Sequence, residues 1–487
     1  MLKAQHTTAP RLTPASEVWD ALIVGAGPAG MFAALSLAAA GLRRTLLIDA
    51  GPDVHERRLP TKARTHASYE RGVGGAGLFS DGKLCLSLDV GGHLEEALDD
   101  DRRDRLLGDV RDVFASLIED IAPRKADMQA LASADRAAAK AGLGFKYYPV
   151  AHIGTDRCHE VIVDLRDAVE RGGTTIMANA ELTELRIGEG GDKTAIVRTP
   201  SAGREGVHAK HVVLAMGKVG AARQAELCAR LGITLKPQPI YAGVRFEAPA
   251  GAVAPLFSVT KDPKYNLRLS TGDKVKTHCA SENGEVLTLR YSDLPLAGGH
   301  NYFHAKTGRS GFSILWDGFD GEPDSYEFAL GLMRRTHERT GGKLLVQRMA
   351  DYRAGRASTP RSVAGIPLTC EDSVPGDVRD VLPADYFPRM DAFLDRMEAL
   401  TPGLVDRQAV IYAPAIEWWM KQIDVGGAQM ETAVPGLHVC GDGSGWSQGI
   451  VHAAATGLLA AEGIHATKVD LGGWVARLVS HRRRSAA

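Results

Sequence analysis

A two-domain α/β protein is the fold class this sequence predicts, on three observations. Near the start, an apolar run over Ala21–Val24 breaks into Gly25-x-Gly27-x-x-Gly30 and then into an alanine-rich helical segment. From Pro237 the texture changes to short alternating strands whose turns carry Gly, Asn, Asp and Pro. After about residue 401 the first texture returns, as a strand closing on Gly441-Asp442 followed by a small-residue helix over Gly449–Ile464. The outer segments read as one Rossmann-type nucleotide-binding domain. The middle reads as an antiparallel-sheet (α+β) substrate domain inserted into it.

Each glycine of the first turn has a mechanical reason. Gly25 permits a tight strand-to-helix turn, Gly27 lets a pyrophosphate approach the backbone, and Gly30 lets the helix sit close to the strand. The free N–H groups at the helix start, near Pro28 and Ala29, then face an anion with the helix dipole behind them. A second apolar run, Thr45–Ile48, ends in Asp49-Ala50, with the acid nineteen residues after Gly30. An acid there accepts the hydroxyls of an adenosine ribose and repels a 2′-phosphate, which favours FAD or NAD over NADP. The same region is too rich in glycine, with polar residues close on both sides, to read as a membrane span.

At 487 residues the chain is long enough for two or three folding units. Its 58 basic and 59 acidic residues leave a net charge of −1, which points away from nucleic acid and from acidic membranes. The six cysteines form no C-x-x-C pair, so neither a redox disulfide nor a metal knuckle is expected, and no metal site is. Scattered reduced cysteines and a polar start without a signal-peptide core predict a cytoplasmic protein.

The expected organisation is a disordered tail over 1–17, the nucleotide domain over 18–236 with a helical insertion near 94–141, and the substrate domain over 237–400. The nucleotide domain then resumes over 401–470, and a tail follows over 471–487. Five glycines fall within 72–82, in Gly72-Val-Gly74-Gly75-Ala76-Gly77-Leu-Phe-Ser80-Asp81-Gly82-Lys83. Such a loop is either a flexible surface turn or one that wraps something flat and charged, and its polar groups favour the second. Thr155 or Asp156 suits the cap of a helix over Cys158–Glu170. His152 is either an active-site residue or a support for its own turn. A buried strand from His211 closes on Ala215-Met216-Gly217, where backbone meets a ligand.

In their order these motifs resemble the glutathione-reductase-like two-domain flavoproteins. The wording Gly74-Gly-Ala-Gly-Leu-Phe-Ser-Asp-Gly-Lys-Leu84 is similar to the FAD-dependent dehydrogenase group within them, as are His152–Asp156, Ala242–Arg245 and Gly449–Gly457. The resemblance implies FAD. Gly25, Gly27, Gly30 and Asp49 would hold its ADP half, and Gly75 to Lys83 would line the ribityl chain and ring. Gly441 and Asp442 would bind the ribityl and pyrophosphate region, and the helix from Gly449-Ile450 would aim its N–H groups at the flavin. Trp446-Ser447-Gln448 and Glu417-Trp418-Trp419 depart from the group's wording.

With no cysteine pair near residues 75–85 and no second nucleotide fingerprint, a substrate is expected to meet the flavin directly. The reaction would be that of a dehydrogenase or oxidase taking hydride from a small organic substrate onto flavin N5. Base candidates are His452, His93, His278, His304, Glu417 and Tyr412, with His452 first because it lies just inside the helix facing the flavin. Arg245 and Arg290 would clamp a carboxylate or form salt bridges. His278 and Trp446 are further substrate contacts. Lys83 would either approach the flavin or neutralise Asp81. The alternatives are a monooxygenase or reductase using NAD(P)H as transient reductant, and a flavin-holding protein without turnover.

Overall fold

The computed structural model describes residues 18–57, 71–88, 90–94, 98–119, 121, 126–319, 324–418 and 420–485; the tail expected over 1–17 lies outside them. The first run comprises β1 (Val18–Val24), α1 (Pro28–Ala39), β2 (Thr45–Ile48), β3 (Lys83–Cys85), α2 (Asp100–Leu117), α3 (Met128–Lys140), β4 (Gly144–Lys146) and β5 (Val150–His152). It continues through α4 (Thr155–Arg171), β6 (Thr175–Met177), β7 (Glu181–Ile187), β8 (Lys193–Thr199), β9 (Gly203–Leu214) and α5 (Gly217–Arg230). The middle run comprises β10 (Leu235–Lys236), β11 (Ile240–Pro249), α6 (Ala250–Val253), β12 (Lys264–Arg268), β13 (Lys274–Ser281), β14 (Glu285–Tyr291), β15 (Leu294–His300) and β16 (Arg309–Trp316). Then come α7 (Ser325–Thr340), β17 (Leu344–Arg348), α8 (Met349–Arg353), α9 (Pro360–Val363), β18 (Ser373–Pro375), α10 (Tyr386–Leu400), β19 (Val410–Trp418) and β20 (Gln422–Ile423). The chain closes with β21 (Leu437–Val439), α11 (Ile450–Glu462) and α12 (Leu471–Ser485).

Strands β6, β2, β1 and β9 form a parallel sheet in that order. The far side of β9 carries two partners in succession, the antiparallel β8 over its first half and the parallel β21 over its end. Both faces are covered over Ala21–Val24, which is why that part of β1 is a continuous apolar run rather than alternating. Ala21 and Ile23 enter a core made with α1, α2, α4, α11 and α12, while Leu22 and Val24 face the β7–β9 meander and α5. The crossing of α1 and α11 is close enough that a Cβ at Gly457 would lie 2.0 Å from the Ala29 carbonyl oxygen.

The second sheet runs β18-β17-β19-β11-β16-β13-β12-β4 and is antiparallel apart from the β17–β18 pair. Phe246, Val275 and Ile314 on one face pack against Met333 of α7 and Phe393 and Met397 of α10. The hairpin β14–β15 turns at Ser292 and Asp293, both in left-handed conformation. A two-residue pairing of β10 with β20 brings together the points where the chain enters and leaves this domain.

Two stretches fall elsewhere than the sequence suggests. Residues 410–418, expected in the nucleotide domain, form β19 between β17 and β11, because the apolar run Val410–Ile416 suits a buried strand of either sheet. The tail expected over 471–487 includes α12, which buries Leu471, Val475 and Val479. In the insertion near 94–141, α2 enters the core: it buries Leu106, Val110, Val113, Phe114 and Leu117, and the ring of Phe114 meets Phe32 of α1 at 5.5 Å. Phe114→Ala is expected to lower unfolding stability by about 3–5 kcal/mol in chemical denaturation, and Asp104→Ala on the exposed side of α2 by no more than about 0.5 kcal/mol.

Candidate functional site

The nucleotide cradle begins where β1 turns at Gly25. A Cβ at Gly25 would lie 2.1 Å from the Ala215 carbonyl oxygen, and one at Gly30 1.9 Å from that of Gly25. No side chain fits where β1, α1 and the end of β9 converge. Asp49, at the end of β2, accepts the N–H groups of Ala26 (2.9 Å), Gly51 (2.9 Å) and Gly72 (2.8 Å). Burial raises its carboxyl pKa against the pull of those three donors. One carboxylate thus gathers the first glycine turn, the end of β2 and the start of the second glycine loop. Arg57, 1% exposed, braces the same loop from inside, donating to the carbonyls of Gly72 (3.0 Å) and Val73 (2.8 Å) and lying 4.9 Å over the Phe79 ring. Burial lowers its pKa to about 10.

Helices α1 and α11 both start at a glycine, Gly27 and Gly449, with no side-chain cap and no acid in the first turn. Their first N–H groups are therefore available to an anion. Gly77 lies between the two starts: a Cβ there would be 3.1 Å from Pro28 and 3.7 Å from Ile450. Ala29, Gly30, Gly74 and Gly441 are buried supports, whereas Gly25, Gly27, Pro28, Asp49, Ala50, Gly75, Ala76 and Gly77 leave backbone partly open. Met216, Gly217, Asp442, Gly449 and Ile450 continue that open line. Asp442 closes its own turn, accepting from Ser447 Oγ (3.0 Å) and the Gly449 N–H (3.3 Å), and burial raises its pKa. Two uncapped helix ends, a carboxylate at the end of β2 and glycines that admit no side chain fit the phosphates and ribose of a dinucleotide.

Beyond the glycine loop the two domains meet on buried charge. Ser80 holds its own turn through Gly77 and Gly82, and Thr155 Oγ1 donates to the Ser80 carbonyl (2.8 Å). Lys83, 7% exposed, lies 2.9 Å from Asp81, 3.4 Å from Asp262 of the second domain, and donates to the Ala280 carbonyl of β13 (2.6 Å). Burial opposes its charge, but the two carboxylates prevail and raise its pKa. Asp262 also accepts from Tyr148 OH, pairs with Lys264 (3.0 Å) and accepts the Ala280 N–H (3.0 Å). Burial would raise its carboxyl pKa; Lys264 and Lys83 outweigh that and hold it down. Of the two readings of Lys83, neutralising Asp81 is the one the geometry bears.

Two residues before Ala280, His278 presents Nδ1 at 3.2 Å from Glu417 Oε2. Strand pairing sets Glu417 opposite Tyr241. Lys276 lies 2.6 Å from the same Glu417 oxygen and 3.6 Å above the Tyr241 ring centroid. Burial lowers the imidazole pKa, Glu417 opposes this, and Lys264 and Lys276 reinforce it, leaving it at about 3, so the ring is neutral at pH 7. Burial would raise the Glu417 carboxyl pKa, but His278 and Lys276 hold it well below the usual range. His278 keeps 31% of its side chain exposed and is reachable from outside.

The other candidates are engaged structurally. His452 is 1% exposed, its Nε2 lies 2.9 Å from the Ser87 carbonyl, and Gly91 and Gly92 pack on its ring; burial lowers its pKa to about 4. Trp446 donates Nε1 to the Ile423 carbonyl (2.8 Å). Arg245, 1% exposed, holds the irregular end of β13 through the Cys279 carbonyl (3.1 Å) and Ser281 Oγ (2.8 Å). Arg290 lies 3.7 Å from Asp372. His152 meets the Asp81 carbonyl at 3.1 Å, the support role. The cap of α4 is Gly154, and Asp156 instead accepts the N–H groups of Phe303 (2.7 Å) and His304 (3.0 Å) from the second domain. Sequence reasoning missed Arg57, Tyr148, Asp262, Lys264 and Lys276. Only Lys276 had a usable signal, the period-2 pattern Lys274-x-Lys276-x-His278 that sets three basic residues on one face of a strand.

Residues 20–56 match the model of a family described as a FAD binding domain. A protein of Clostridium beijerinckii described as uncharacterized is 24% identical, over 91% of this chain and 80% of its own length. Among solved structures, glycine oxidase from Geobacillus kaustophilus is similar at 14% identity and TM-score 0.41, covering 93% of this chain and 96% of its own. L-Amino acid deaminase from Proteus myxofaciens is similar at 13% identity and TM-score 0.40, covering 95% and 93%. Among the described residues no helix is long and apolar enough to cross a membrane, and no group of His, Cys, Asp and Glu is placed to hold a metal. The matched segment contains the turn, helix and acid of the cradle, so FAD is the cofactor that this cradle is built to hold.

Asp49→Ala removes the acceptor shared by three loops, at the position where the sequence places the partner of the ribose. It is expected to weaken FAD binding at least about ten-fold, read by fluorescence titration of the apoprotein. Gly30→Val is expected to give protein without the yellow flavin absorbance.

Proposed function

We propose that this chain is a dehydrogenase or oxidase of the glutathione-reductase-like two-domain type, taking a hydride from a small organic substrate while His278 accepts the accompanying proton. The observation that carries this reading is the pairing of a neutral, reachable imidazole with Glu417 beside the seam where the glycine loop docks on β13. Bound FAD supplies the two-electron acceptor for the hydride.

The chain's own residues supply the rest. The first turns of α1 and α11 hold the cofactor's phosphates and ring edge, and Asp49 holds its ribose. Glu417 faces Nδ1 of His278 and orients the ring, which leaves the Nε2 lone pair for the substrate. As the substrate C–H leaves with its electron pair, the O–H or N–H beside it releases a proton to Nε2, and the C=O or C=N bond forms. Glu417 is held by Lys276, which leaves the His278 imidazole as the acceptor in this reading. Arg245, through Cys279 and Ser281, keeps the strand end from shifting and so positions His278. His452 and Trp446 serve the Ser87–His93 loop and the turn before α11.

His278→Ala is expected to slow anaerobic reduction of the flavin by an organic substrate about 10²–10⁴-fold without changing the oxidised flavin spectrum. Reduction by NADH or NADPH at a rate that exceeds every organic substrate, and that survives His278→Ala, would overturn this reading. The rate should be flat from pH 5 to 8 and fall only as the pH approaches about 3, since the imidazole must be deprotonated to act. Lys276→Met removes a cation that disfavours protonation of His278, so the acid limb should move to higher pH.

A further inference from the structure

The glycine loop of the cradle is also gripped from the second domain. Its helical turn Gly75–Phe79 ends at the Phe79 carbonyl, which lies 2.8 Å from Nε2 of His300, the last residue of β15. A carbonyl oxygen only accepts, so Nε2 carries the hydrogen. His300 is 3% exposed, and strand pairing sets it opposite Glu285. The Glu285 carboxylate lies 3.4 Å from Nδ1 and accepts from Tyr302 OH (2.6 Å). The next carbonyl of the loop, that of Ser80, is the one Thr155 Oγ1 holds, and Thr155 is itself tied across the seam. Its N–H donates to the Asn301 carbonyl (3.0 Å), and its Oγ1 accepts the Asn301 N–H (3.3 Å). Residues 300–304 thus hold the far end of the loop and, through Asp156 on Phe303 and His304, the start of α4.

With five glycines between residues 72 and 82, the loop loses much conformational freedom on being fixed. Asp49 and Arg57 fix its start at Gly72 and Val73, and Gly77 in its middle lies between the starts of α1 and α11. We propose that His300 is a positioning residue for the cofactor, acting through the Phe79 carbonyl, and that FAD binding and seating of the two domains are one coupled equilibrium. A seated second domain removes part of the loop's freedom before FAD arrives, and FAD in the cradle holds the loop ready for the second domain. Such coupling is reciprocal: the factor by which a closed seam tightens FAD is the factor by which FAD closes the seam. The proposal rests on the glycine loop as the seat of FAD and is independent of His278 as the base.

The test pairs FAD titration of the full-length apoprotein with amide hydrogen exchange in the presence and absence of FAD. His300→Phe keeps a ring in the buried slot, removes the N–H, and is expected to raise the Kd for FAD at least about ten-fold. His300→Gln returns an N–H at the place of Nε2 and should bring the Kd back to within about three-fold of the unaltered protein. Asp156→Ala, on the seam and away from the cradle, should raise the Kd about three-fold or more. In the unaltered protein FAD should slow exchange at Gly72 and Gly74 of the loop and also at Thr155, Phe303 and His304, whose N–H groups cross the seam. An unchanged Kd in His300→Phe, or a loss that His300→Gln does not recover, would overturn the proposal. Protection confined to Gly72 and Gly74 would keep the loop as the seat of FAD and overturn the coupling; protection at neither place would overturn the seat and the coupling together. If His300→Phe does not fold, the exchange on the unaltered protein and the Asp156→Ala titration decide.

Discussion

The buried ammonium of Lys83 is the constraint on which the relation of the two domains depends. It stands on β3, at the end of the glycine loop, and its partners Asp262 and the Ala280 carbonyl belong to the other domain. Charges taken out of water are tolerated only when each is compensated by close opposite charge and hydrogen bonds. Lys83 keeps Asp81 on its own loop, but its second carboxylate and its carbonyl partner come only when the loop after Gly82 is seated on the end of β13. Separation of the domains would take both from Lys83 and leave Asp262 with Lys264 alone of its two ammonium partners.

That docking also sets the place of the proposed base. The Ala280 carbonyl grasped by Lys83 lies two residues from His278, so the contact that joins the domains also fixes the imidazole relative to the cofactor cradle. The strand end is irregular there: pairing with β16 shifts between His278 and Ser281, and Cys279 takes a left-handed conformation with φ +46°. A non-glycine residue pays conformational energy for that geometry, and it persists because the surroundings over-determine it. Arg245 binds the Cys279 carbonyl from one side, and the Cys279 thiol reaches Asp81 Oδ2 at 3.6 Å on the other.

Much of the cradle was legible because its demands are local. Gly25 and Gly30 are required by contacts with Ala215 and with each other's turn, and Asp49 ends the very next strand. The proposed active face was less legible. His278 and Glu417 were both named among base candidates, but 138 intervening positions hid their contact. His452 ranked higher from its place in α11, and nothing local showed that Gly91, Gly92 and Ser87 would close around it. Asp156 looked like a helix cap for the same reason: its true partners, Phe303 and His304, are nearly 150 residues away.

The sequence by itself determined the nucleotide turn, the class of cofactor, and the division into doubly covered parallel sheet and antiparallel sheet, because these follow from residue type and short-range spacing. Only the tertiary structure decided that β19 belongs between β17 and β11, that α12 closes the helical core, and that His278, Glu417, Lys276 and Lys274 share one face with Tyr241. Those outcomes rest on strand pairing and charge compensation across long separations. An apolar run or a lysine satisfies them equally well in several places until the surrounding chain selects one.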